Sequence, residues 1–213
     1  MLVAVEGPSA VGKTTLLREM PPEQVVGEEP LRTPDGMSRE ETSSHAAALN
    51  ARRWNRLLEV EERHGCAYAD GDPLKLYYDF ARVSIGELDR ETYEAGWHLM
   101  ERAMVDERIG FSDCVIFLSA PLEELARRRV GDTTRRRRKF ALHARLIPAM
   151  RAYYETLERI RPGTVRWLNA EGYLPEAIPP ALLEQTFHRR NRYTVSDLES
   201  LKHELDLMLP KDR

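Results

Sequence analysis

The chain has 213 residues, enough for one good hydrophobic core, and the usual domain size favours a single compact domain over two. A formal net charge of −3 with 31% charged residues describes an ordinary globular surface and excludes a protein drawn onto nucleic acid by a global excess of base. The cysteines, Cys66 and Cys114, form no Cys-x-x-Cys pair and no zinc-ligand spacing, which excludes a cysteine metal centre and leaves buried free thiols as the expectation.

The opening MLVAVEGPS has no basic region and too short an apolar run for a signal or a membrane span, so a cytoplasmic chain is expected. Residues 2–6, LVAVE, read as a short buried strand, Gly7 to Gly12 as a tight loop, and KTTLLREM as a helix that Pro21 and Pro22 stop. QVVGE (24–28) reads as a second short strand, followed by a loop, LRTPDGMS. Ser38 with Glu41 makes a capping-box pattern that opens a long helix running to Gly65, a residue suited to a left-handed cap. CAYAD (66–70) is a third strand ending in a carboxylate, and the helical region after it breaks near Gly86 and resumes over roughly 90–109.

DCVIFLSAP is the clearest strand. A helix begins near Pro121, an arginine-rich segment runs to Lys139, and ALHARLIPAMRAYYETLERI is helical despite Pro148 until Pro162 and Gly163 end it. TVRWLNA supplies the fifth strand. LPEAIPP is a linker, and Val195, Leu198, Leu201, Leu205 and Met208 form the apolar stripe of a terminal helix that docks on the core or makes a homodimer contact. Strands alternating with helices predict an α/β fold with a parallel sheet covered on both faces. Residues 1–172 form the predicted domain, with a lid at about 127–140, and residues 173–213 the linker and final helix.

Gly7-x-x-x-x-Gly12-Lys13-Thr14 matches the Walker A pattern. The glycines let backbone N–H groups of Gly7, Ser9, Ala10, Val11, Gly12 and Thr15 approach an anion, because a Cβ would block the turn. Lys13 supplies charge for the β- and γ-phosphates of ATP, Thr14 offers a hydroxyl to Mg²⁺, and the helix start adds a positive dipole end. No guanine-reading Asn-Lys-x-Asp, no apolar run ending in Asp-Glu and no Leu-Ser-Gly-Gly signature is present, which turns the expectation from GTPases, motors and transporters toward kinases.

The chain resembles the P-loop nucleoside and nucleotide kinases, especially deoxynucleoside and thymidylate kinases, over about residues 2–170. Besides the loop, the resemblance rests on EEP (Glu28 to Pro30), CAYADGDP, FLSAPLEELARRR and AYYETL. It implies the strand order 2-3-1-4-5 and an acceptor site beside the loop, at the carboxyl ends of strands two and three. With strand one between them, Cys66 and Cys114 would lie about 9.5 Å apart, beyond disulfide reach. The resemblance makes Glu29 the candidate base for the acceptor hydroxyl, with Asp70, ahead of Asp72, holding magnesium through water or orienting the acceptor. Arg128 matches the lid-helix arginine, and Arg135 with others of Arg135 to Arg138 would close over ATP and neutralise the transferring phosphoryl group.

Glu28 and Gly71 stand where thymidylate kinases carry arginines, and the Glu-Arg-Ser of deoxynucleoside kinases is missing after strand three. Glu28, Glu29, Asp70 and Asp72 would then ring the acceptor pocket and repel a monophosphate. A small-molecule hydroxyl acceptor is expected, a nucleoside or nucleoside-like compound. An antibiotic-modifying O-phosphotransferase and a nucleoside monophosphate kinase are the alternatives within this class. A nucleotide-switched protein whose arginines meet a polyanion is the alternative outside it. No membrane and no nucleic-acid partner is expected. Trp54, Tyr77, Tyr78, Phe80 and Trp97 are expected to pack, with one of them free to stack on an acceptor ring, and Arg82 to reach an acceptor or cover a helix face. No role is assigned to the histidines.

Overall fold

The structure is a computed structural model, and it describes residues 1–29, 31, 34, 36–131, 140–170 and 189–210. Its centre is strand β1 (Leu2–Glu6), buried along its whole length. Alternate residues of β1 face opposite layers, as a strand's period of two requires. Leu2 and Ala4 join Trp54, Phe80, Trp97 and Tyr154 in one apolar layer, while Val3 and Val5 join Leu16, Leu125 and Phe140 in the other.

Helix α1 (Lys13–Leu17) is shorter than the sequence pattern predicts. Beyond it Glu19 and Met20 bond back three residues rather than four, to Leu16 and Leu17, because the prolines at 21 and 22 allow no further helical turn. Strand β2 (Val25–Val26) is a two-residue edge. Helix α2 (Arg39–His64) starts where the capping box predicts: Glu41 N–H donates to Ser38 Oγ at 3.2 Å, and Ser38 N–H to Glu41 Oε2 at 2.7 Å. Gly65 ends it at φ 79°.

Strand β3 (Ala67–Asp70) leads into α3 (Leu76–Ser84) and α4 (Arg90–Val105), the latter capped by Asp89. Strand β4 (Cys114–Ser119), α5 (Leu122–Gly131), α6 (Phe140–Ile160), β5 (Val165–Asn169) and α7 (Val195–Asp206) follow. The five strands form one parallel sheet in the order β2-β3-β1-β4-β5, with helices on both faces. Cys114 is buried, whereas Cys66, expected inside, is half-buried just before β3; both are free thiols that burial pushes up, Cys114 to about 12.

Helix α7 lays Leu198, Leu201 and Leu205 into the core and packs on α6 and α4, while Met208 stays exposed. Residues 189–193, just before it, cross the amino-terminal ends of the strands. There Arg192 pairs with Glu61 at 2.7 Å and with Asp113 at 2.5 Å, and the Met1 α-ammonium also pairs with Glu61. Among the described residues no helix is long and apolar enough to cross a membrane. Most of the expected lid and all of the expected linker (132–139 and 171–188) lie outside the described residues, as does the role foreseen for Arg135.

Candidate active site

The glycine loop leaves β1 at Gly7, with φ 140°. A Cβ there would sit 2.3 Å from the Leu118 carbonyl oxygen, so only glycine lets the loop turn against β4. Gly12, at φ 111°, faces open space, with no atom within 4 Å of where a Cβ would be. That is room for a phosphate oxygen among the loop amides. The Lys13 ammonium donates to the carbonyls of Gly7 at 2.5 Å and Pro8 at 3.1 Å, folded over its own loop. Five-residue α1 has little macrodipole to add, so the loop amides and Lys13 carry the anion-binding capacity.

Behind the loop lies a buried polar knot. Glu6, only 2% exposed, accepts from Gly7 N–H at 3.0 Å, Asp72 N–H at 2.8 Å and Tyr77 O–H at 2.9 Å. Gly71, at φ 86°, leaves no room for a Cβ, which would fall 2.9 Å from Glu6 Oε1. Arg53 of α2 is buried and donates through Nη2 to the carbonyls of Asp70 at 2.5 Å and Gly71 at 2.8 Å, pinning the turn after β3. Asp72 therefore differs from expectation. It is turned into the core, where it accepts from Leu74 N–H at 3.1 Å and Tyr154 O–H at 3.3 Å, and it does not line the cleft. Burial and the Glu6 charge push its carboxyl up to about 6.

The other strand-end carboxylates do line the cleft. Among the described residues the Asp70 carboxylate has no hydrogen bond or ion pair, and neither has the Thr14 hydroxyl across the loop. Glu28 is ion-paired with Lys75. Burial works to raise the Glu28 carboxyl, but Lys75, Arg53 and Lys13 outweigh it and hold it below the ordinary carboxylate range. Glu29 pairs instead with Arg56 of α2, at 2.9 Å.

No family model matches the chain, and no curated protein matches it in sequence. Among solved structures, thymidylate kinase from Candida albicans superposes with a TM-score of 0.57 at 17% identity, over 86% of this chain and 89% of that one. Deoxyadenosine kinase from M. mycoides with bound dATP gives a TM-score of 0.57 at 13% identity, over 86% of this chain and 98% of that one. A second structure of that enzyme, with products bound, gives 0.54 at 11% identity, over 97% and 100%. The chain has the P-loop kinase fold.

In this P-loop kinase fold the glycine loop and the ends of β2 and β3 meet at the carboxyl edge of the sheet, where open parallel sheets bind ligands. They open into one cleft of about 1830 Å³ that continues between α2, α3, α4 and α6. At the lid end, Arg128 pairs with Glu124 at 2.7 Å and donates to the carbonyls of Val11 at 2.9 Å and Ala170 at 2.6 Å. Its guanidinium thus ties α5 to the glycine loop and to the end of β5. At the far end the cleft is lined by Asn50, Tyr78, Asp79, Arg82, His143 and Met150, among others. Trp54, Phe80 and Trp97 are packed inside the core, and Tyr78 is the half-buried aromatic of the expected set.

Sequence reasoning passed over Glu6, Asn50, Arg53, Asp79 and His143. Glu6 carried a usable signal, a charge closing an apolar strand directly before a glycine. Asn50 and Arg53 carried another, polar residues on the helix face that also holds Ala46, Trp54 and Leu57. Asp79 and His143 stand in helices without a distinguishing pattern, and the fold alone brings them to the cleft.

Proposed function

We propose that the chain is a phosphotransferase that moves the γ-phosphoryl group of ATP to a hydroxyl of a small molecule. One observation carries the reading: a glycine loop with open space at Gly12 and two oxygen ligands without a partner among the described residues, Thr14 and Asp70, open on the same cleft as the Glu28–Glu29 pair. The likeness to nucleoside and nucleotide kinases with this strand order supports the reaction class. Size supports it too. A pocket for one ligand has about 300–1,000 Å³, and this cleft, at about 1830 Å³, has room for two substrates side by side.

In this reading the loop amides and Lys13 hold the triphosphate, with Lys13 exchanging the Gly7 and Pro8 carbonyls for phosphate oxygens. Thr14 and Asp70 would hold the magnesium ion that accompanies the nucleotide and helps neutralise its charge. The acceptor oxygen bonds to the γ-phosphorus as the bridging β–γ P–O bond breaks and ADP leaves, while the acceptor proton passes to a carboxylate. We assign that proton to Glu28 rather than to its neighbour because, although each carboxylate has one paired cation, Lys75 for Glu28 and Arg56 for Glu29, Glu28 also lies within electrostatic reach of Lys13 of the glycine loop and of Arg53.

The test is a screen with γ-labelled ATP over nucleosides, nucleotides and hydroxylated antibiotics. Lys13→Ala should abolish transfer. Glu28→Gln should slow it by about a hundredfold or more, and Glu29→Gln, which loses a partly exposed ion pair, by less than about fivefold. The opposite order would return the base to Glu29, and failure of purified protein to bind magnesium nucleotide would overturn the reading.

A further inference from the structure

We infer that the acceptor carries a cationic amine, held by Asp79 on α3 with Asn50 on α2 as a second contact. The inference rests on the kinase reading of the same cleft. Asn50 is only 9% exposed and lines the cleft, yet among the described residues its side chain has no hydrogen-bond partner. Its amide, with two N–H donors and a carbonyl, therefore reaches the cleft rather than the core. Its partners come from whatever fills the cleft.

Asp79, half-buried at the same cleft, is weakly engaged among the described residues. Its one described partner is Arg82, at 3.9 Å, outside hydrogen-bond range. Arg82 is itself drawn elsewhere, with its guanidinium 5.6 Å from the centre of the Tyr78 ring and Nη2 donating to the Glu87 carbonyl at 3.4 Å. On the other side Gly96 of α4 lies so close that a Cβ there would be 3.3 Å from Asp79 Oδ2, which leaves the cleft as the side from which a donor arrives. Burial raises this carboxyl, more than Arg82 lowers it, as expected of a carboxylate short of donors.

The surrounding charges select the sign of the ligand. Lys75 already holds Glu28, Arg56 holds Glu29, and Arg145 holds Glu87 at 2.7 Å. An acceptor phosphate would have to pull one of these described cations from its carboxylate, or draw Arg82 off the Tyr78 ring and the Glu87 carbonyl and leave Asp79 without a cation beside the new anion. An ammonium has only to replace the long Arg82 contact, and the apolar Leu99, Met100 and Leu146 nearby strengthen the attraction by keeping the local dielectric low.

The test is calorimetric titration of the full chain, loaded with Mg·AMP-PNP in 150 mM-class salt, with kanamycin A, myo-inositol, thymidine and thymidine 5′-monophosphate as probes. Kanamycin A should bind about tenfold or more tighter than each of the other three, the scale of one charge-assisted contact. Asp79→Asn, similar in shape, should erase that preference while keeping AMP-PNP affinity, and Asn50→Leu should weaken kanamycin A binding. If Asp79→Asn loses nucleotide binding through misfolding, Asp79→Glu, which keeps the charge, should keep the preference. Kanamycin A binding no tighter than thymidine, including no binding of either, overturns the inference, as does an Asp79→Asn protein that binds it like wild type. Wild type that binds no AMP-PNP defeats the kinase reading instead, and the amine preference is then read from the same titrations without nucleotide.

Discussion

Two buried carboxylates answer acid in opposite directions. Burial and Glu6 raise Asp72 from its ordinary 3.8 to about 6, so at neutral pH the folded state carries an ionised group that the unfolded chain solvates better. That penalty, on the order of 3 kcal/mol at most, is relieved as pH falls through 6 toward 4. For Glu61 burial acts to raise the carboxyl, but hydrogen bonds from Arg192 and the Met1 α-ammonium outweigh it and bring it from 4.5 to about 2. Its stabilisation is complete above 4.5 and is lost as pH falls toward 2. Asp72→Asn should therefore be more stable than wild type near pH 8 and lose that advantage by about pH 4.5. Urea denaturation of both proteins across this range checks it. A stability difference independent of pH would mean that the Asp72 charge is matched in the folded state.

Helices and strands were legible where their signals are local. The Ser38–Glu41 box and Gly65 bound α2 to the residue, and the run from Cys114 to Ser119 needed only its own apolar side chains to be read as a strand. Reading fell short where an element answers to distant partners: Cys66 is only half-buried, at the rim of the core, because β3 pairs from Ala67 onward. The glycine loop is the opposite case, a motif whose spacing and geometry agree because the sheet leaves no alternative at Gly7. Gly7→Ala should destabilise the protein by about 2–5 kcal/mol, combining backbone strain with the clash against Leu118. Thermal unfolding of the variant measures this, and an unchanged melting temperature would show that β4 gives way at no cost.

The molecule as a whole is closed at the amino ends of its strands by residues 189–193. Arg192 stands 131 residues from Glu61 and 79 from Asp113, so no local pattern announced the pairing. The same distance effect hid the far end of the cleft, which α2, α3, α4 and α6 assemble from separate parts of the chain. Arg192→Ala would leave two buried carboxylates without their main cation and should cost about 3–5 kcal/mol. Equilibrium denaturation reads that loss, and nucleotide affinity measured well below the new melting point should be unchanged. Foundation and workshop thus stand at opposite edges of one sheet, about five residues or roughly 17 Å of strand apart. Drift, or deliberate reinforcement, at the lower edge can reset the temperature at which this protein survives and leave the chemistry at the upper edge untouched.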